Sequence, residues 1–168
     1  AMKRIAKVKL STKDKSVTII ESEGTEFSDS TETKYVRYGV PHADFTKALD
    51  ALVPHVRDIL ELPSNWKLGD IRITGVTVSC SEDTEVEGAV ISGLVTLTTA
   101  TSPFSFNTPH LPFDQYAEGN EAPLMPEDAV DAIEEVRKEA RQFLNGKRAE
   151  TDQKDLFASE TPADAVPN

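Results

Sequence analysis

Hydrophobic and polar residues change their period several times along the chain, and each change marks an element. In "KRIAKVKL" Ala6, Val8 and Leu10 fall on one side and Lys7 and Lys9 on the other. "SVTIIES" follows after the polar turn "STKDK", so two antiparallel strands are expected. After the polar connection "EGTEFSDSTET", "KYVRYGV" offers a third strand, with Tyr35 and Arg37 alternating with Val36 and Tyr38. The period then lengthens. Phe45, Leu49, Leu52, Val56, Ile59 and Leu60 recur at spacings of three and four, which predicts an amphipathic helix behind Pro41. Pro54 lies inside it and lacks the amide that would bond Asp50, so the helix must bend there or break in two.

"DIRITGVTVSC" returns to alternation, with Ile71 and Ile73 on one parity and Val76, Val78 and Cys80 on the other. The switch around Gly75 predicts a bulge. "VEGAVISGLVTLTTA" completes a hairpin over residues 70 to 100, in which Gly88 and Gly93 are read as twists or bulges. A short strand at Phe104 to Phe106 leads into a proline-rich loop packed through its aromatics. Pro126 opens a second helix, with acids in its first turn, Arg137 to Arg141 later and an Asn145-Gly146 stop. Its stripe of Val130, Ile133, Val136, Ala140 and Phe143 can cover a sheet.

The order β-β-β-α-β-β-(β)-α predicts an α+β domain over residues 3–146. Its mainly antiparallel sheet has five to six strands, with two helices on one face. A partly closed, OB-like barrel is the alternative architecture. Beyond Gly146 no periodicity remains, so residues 147–168 are expected to form a flexible tail.

Charge sharpens this outline. The net charge of -11 is concentrated in the second half: residues 1–80 carry 12 Lys/Arg against 11 Asp/Glu, residues 81–168 carry 6 against 18. A protein built around a duplex phosphate backbone is therefore not expected. The local exception is Lys3, Arg4, Lys7, Lys9, Lys13 and Lys15, which face only Asp14 in the first fifteen residues. They read either as a small basic patch or as solvated lysines guarding an edge strand. A single cysteine, Cys80, excludes an internal disulfide and fits a reducing compartment; it reads as a small core residue. No apolar run is long enough to span a membrane, and the N-terminus lacks a secretion signal, so a cytoplasmic setting is expected.

Catalytic signals are lacking. His42, His55 and His110 have no second ligand at a familiar metal spacing, and neither a phosphate loop nor a nucleophile elbow occurs. His110 and Asp114 in "NTPHLPFD" are the nearest approach to a catalytic pair; a packing role suits a lone histidine in such a loop better. The expectation is a non-enzyme without metal or cofactor. Phe104, Phe106, Phe113, Tyr116 and Trp66 could stack on single-stranded bases, although Asp114, Glu118 and Glu121 nearby favour packing. Lys7, Lys9, Phe104, Phe106, His110 and Phe113 are the candidate contacts for single-stranded DNA or a small ligand such as a nucleotide.

The tail carries the sharpest motif. "QKDLF", Gln153 to Phe157, resembles the bacterial sliding-clamp-binding pentapeptide, whose pattern is Gln, any residue, Ser or Asp, Leu, Phe; every specified position matches. The resemblance implies that Leu156 and Phe157 fill an apolar pocket on the clamp, Gln153 makes polar contacts at its rim and Asp155 helps the peptide turn. Two such anchors, burying about 1.5 to 3 kcal/mol each before ordering costs, imply weak binding per tail. The stretch "VISGLVTLTTATSPFSFNTPHLPF" resembles small uncharacterised proteins of bacteriophage replication and recombination modules. Together these imply an accessory protein of bacterial or phage DNA replication, recombination or repair. The alternatives are a phage inhibitor of the host clamp and a module binding single-stranded DNA or a small ligand.

Overall fold

The computed structural model describes residues 2–25, 28–66, 70–80, 86–115 and 123–149. One sheet organises them. Strands β1 (Met2–Ser11), β2 (Ser16–Thr25), β3 (Ser28–Tyr38), β4 (Ile71–Cys80), β5 (Glu87–Val95) and β6 (Phe104–Asn107) run in the order β3-β2-β1-β4-β5-β6. The two-residue β7 (Leu111–Pro112) pairs with the start of β5. All pairings are antiparallel, and the path does not close on itself. This is the expected α+β architecture with an open sheet rather than an OB-like barrel.

Helices α1 (Ala43–Asp50), α2 (Val53–Ile59) and α3 (Glu127–Leu144) cover one face. The helix expected from residue 43 onward breaks in two, and Pro54 stands in the first turn of α2, where a missing amide costs no helical bond. His42 caps α1 by accepting a hydrogen bond from the Asp44 amide on Nδ1, at 3.0 Å. Gly146, with φ +107, ends α3 in a conformation that glycine adopts without strain. The chain stays docked a little further: the Ala149 amide donates to the Val40 carbonyl at 3.0 Å.

The core lies between the helices and alternate residues of the central strands: Ile5, Val8, Val17, Ile19, Ile71, Ile73, Val76, Val78, Ala89, Ile91 and Val95. Phe45 and Phe143 meet edge to face at 5.8 Å beneath α1 and α3. Two bulges set which side chains enter this layer. The expected one falls between Ile73 and Gly75. The second, between Ile5 and Lys7, corrects the N-terminal alternation: Ile5 turns inward with Val8, and Ala6 is taken up in the bulge. Arg137 of α3 donates from Nε to the Ile5 carbonyl at 2.8 Å, satisfying an acceptor at this irregularity.

Three further expectations change. The connection before Lys34 is mostly strand, because β3 pairs with β2 from Ser28 onward. As an edge strand with exposed residues at 31–34, it needs no apolar alternation. β5 ends at Val95 rather than near residue 100, where the Thr96 amide turns to the Asp70 carbonyl. Gly88 and Gly93 mark no bulge, since β5 keeps a continuous register with β6 and its irregularity with β4 is carried by β4. Glycine is required instead by close approach. A Cβ on Gly93 would lie 2.6 Å from the Phe106 ring, and one on Gly88 would collide with the His110 imidazole.

Candidate functional site

The sheet has a second face, opposite the three helices. β1 lies between β2 and β4, so Lys7 and Lys9 are not the solvated guards of an edge strand. They occupy the middle of the open face. The register places Ile20 beside Lys7, Thr18 beside Lys9 and Thr77 on the other side of Lys7. The same parity continues outward to Lys34 and Val36 on β3, and to Val90, Ser92 and Leu94 on β5. Exposed Arg72 pairs with Leu94 near one end.

A groove of about 590 Å³ runs across this face from the β1–β2 turn to β6. Lys7, Lys9 and Lys13 line it together with hydroxyl and amide groups such as Ser11, Thr77, Ser92 and Asn107, and no Asp or Glu contributes. That composition is opposite in sign to the molecule, which has 29 acidic against 18 basic residues. Ser92 Oγ donates to Asn107 Oδ1 at 2.6 Å, tying the β5 and β6 walls together. The close passage of β1 and β4 at the floor depends on Gly75, whose Cβ would stand 2.5 Å from the Val8 carbonyl oxygen.

Ion pairs among the described residues gather around α3 and its C-terminal end, whereas Lys47 of α1 and Arg57 of α2 make none. On the helix layer Arg137 meets Glu134 and Glu87, Lys138 meets Glu135, Arg141 meets the buried carboxylate of Glu21, and Lys147 meets Asp44 and the buried Glu139. Hydrogen bonding to Lys147 holds the Asp44 carboxyl below its ordinary range. The carboxylates of Glu139 and then Asp44 push the Lys147 ammonium above its own. On the open face Lys7, Lys9, Lys13, Lys34 and Arg72 make no ion pair among the described residues.

The other candidates separate. Phe106 packs against the core with its ring over Gly93, and Phe113 also packs against the core, its amide donating to the Glu87 carbonyl. Phe104 is exposed at the start of β6, away from any second aromatic contact among the described residues. A stacking platform from these three is not formed. His110 reaches the open-face parity at Gly88, beyond the end of the groove. Cys80 is half-buried rather than a core residue, and its sulfur accepts a long contact from Arg4 at 3.5 Å. Among the described residues no cluster of three His, Cys, Asp or Glu could hold a metal ion. Tyr116, Glu118 and Glu121 lie outside the described residues, as do Gln153, Asp155, Leu156 and Phe157 of the tail motif.

Sequence reasoning grouped Lys13 with Lys7 and Lys9 in a possible basic patch but left out Lys34 and Arg72. Their parity was readable within each strand, but only the strand order brings three separate strands to one face. Among the described residues no helix is long and apolar enough to cross a membrane. No protein-family model, characterised protein or solved structure matches the chain.

Proposed function

We propose that this chain is a non-enzymatic accessory protein of bacterial or phage DNA replication, recombination or repair, working in the cytoplasm and recruited to the sliding clamp through its C-terminal segment. The observation that carries this reading is the position of "QKDLF": it begins four residues after Ala149, the last residue seen docked on the fold. Among the described residues, Phe45 and Phe143 and the inward face of the sheet already form one continuous apolar core. In this reading Leu156 and Phe157 enter a partner's apolar pocket, with Gln153 at its rim and Asp155 shaping the peptide.

A calorimetric titration of the full chain into a purified bacterial clamp tests the reading. Binding in the micromolar range or weaker is expected for a two-anchor peptide, and Leu156→Ala/Phe157→Ala abolishes it. Absence of binding by the wild type, or equal binding by the double variant, contradicts it. The variant form of the same reading, in which a phage protein occupies the clamp pocket against the host polymerase, predicts inhibition of primer extension that the double variant relieves.

A further inference from the structure

We infer that the groove across the open sheet face is a binding site for single-stranded DNA. Lys7, Lys9 and Lys13 line it without a neutralising partner among the described residues, Arg72 lies beside its Leu94 wall, and no carboxylate enters its lining, although Lys34, two strands out from Lys7, has Glu32 next on its parity. What sets the groove apart in a chain of net charge -11 is the gathering of three lysines in one lining that no carboxylate enters. Such a surface attracts a polyanion, and its affinity comes largely from the counterions that the polyanion releases.

The chemistry between the lysines narrows the class. The hydroxyls of Thr77 and Ser105 and the side-chain amide of Asn107 can donate to phosphate oxygens, which carry much of the hydrogen bonding in nucleic-acid complexes. The half-buried aliphatic surfaces of Val90 and Leu94 lie between them and offer apolar ground to unstacked bases. A duplex presents its bases only at groove edges and would leave that ground unused. Phe106 faces away over Gly93, so base stacking contributes little, and the binding is sequence-tolerant and strongly salt-dependent. The acidic α3, with Glu127, Asp128, Asp131, Glu134 and Glu135 facing outward on the opposite layer, keeps the strand on one side. Strand binding rests on this charge and shape; the choice of DNA over RNA rests on the clamp reading.

The test is fluorescence anisotropy with a labelled oligodeoxythymidylate, an oligouridylate of equal length, a duplex of equal length and a polyglutamate peptide, over a range of salt. The wild type should bind the oligodeoxythymidylate best. The slope of log affinity against log salt should approach about -0.7 for each phosphate contacted. Lys7→Glu/Lys9→Glu should weaken binding at least about tenfold at low salt, and removing two contacts should make the slope shallower by about 1.4. Lys7→Gln/Lys9→Gln, with an unchanged melting curve, should show the same shallower slope and thereby separates lost contacts from lost folding. No binding at low salt, equal binding by the glutamine variant, or tighter binding of duplex or polyglutamate overturns the site. Tighter binding of oligouridylate overturns its assignment to DNA. Leu156→Ala/Phe157→Ala should bind the oligonucleotide as the wild type does, so the groove and the clamp reading fail separately.

Discussion

Gly93 shows what a single hydrogen in place of a side chain permits. A Cβ there would stand 2.5 Å from the Arg72 carbonyl oxygen and 2.6 Å from the Phe106 ring, and the carbonyl belongs to a paired strand that cannot swing aside. Gly93→Ala is expected to cost about 1 to 3 kcal/mol in urea denaturation, the range for overpacking a filled site. A neutral result would mean that β4 and β6 can part locally. Lys147 offers a pH test at the same scale. Asp44, with its folded pKa lowered, contributes stability that is present above the unfolded value of about 3.9 and lost as pH falls through the folded value. Lys147, with its folded pKa raised, contributes stability that is full below about 10.4 and lost as pH rises through the folded value. Lys147→Met should therefore melt below the wild type at neutral pH, with the gap narrowing at both extremes. A gap independent of pH would assign Lys147 a packing role alone.

Elements were legible in the sequence wherever one periodic face meets the core. α3, the break near Pro54, the β4 bulge and the inward parities of β4 could all be read from apolar spacing, whereas β5 carries Val90 and Leu94 on its open face and shows no such parity. The misreadings share one cause, which is dependence on a neighbour. The bulge at Ala6 becomes intelligible once Arg137 reaches the Ile5 carbonyl, 132 positions away along the chain. Residues 31–34 of β3 show no alternation because all four are exposed. Phe106 and His110 lie over glycines that sequence alone suggested were bulges. At Pro54 the structure implies that proline shortens nothing: it occupies the first turn of α2, after a break already set by the turn at residues 51–52. Pro54→Ala should lower stability by about 0.4 to 1 kcal/mol, the entropy the ring removes from the unfolded chain. A gain in stability would show instead that proline strains an otherwise continuous helix.

For the whole molecule, strand order matters more than composition. An overall charge of -11 argues against a polyanion partner, yet placing β1 at the centre puts Lys7 and Lys9 in the middle of one face. The acids of α3 lie on the other. The Ala149 amide bonds the Val40 carbonyl, between the end of β3 and the start of α1. The two proposals together give one small domain two binding elements: a groove for a strand, and a short peptide for the clamp. Weak contacts of this kind gain strength when both can engage, because the second becomes effectively intramolecular. The most direct test is titration of the clamp with three forms of the full chain: wild type, Lys7→Glu/Lys9→Glu and Leu156→Ala/Phe157→Ala. The account predicts equal clamp affinity for the first two and none for the third. Loss of clamp binding in the lysine variant, or its survival in the tail variant, would contradict it.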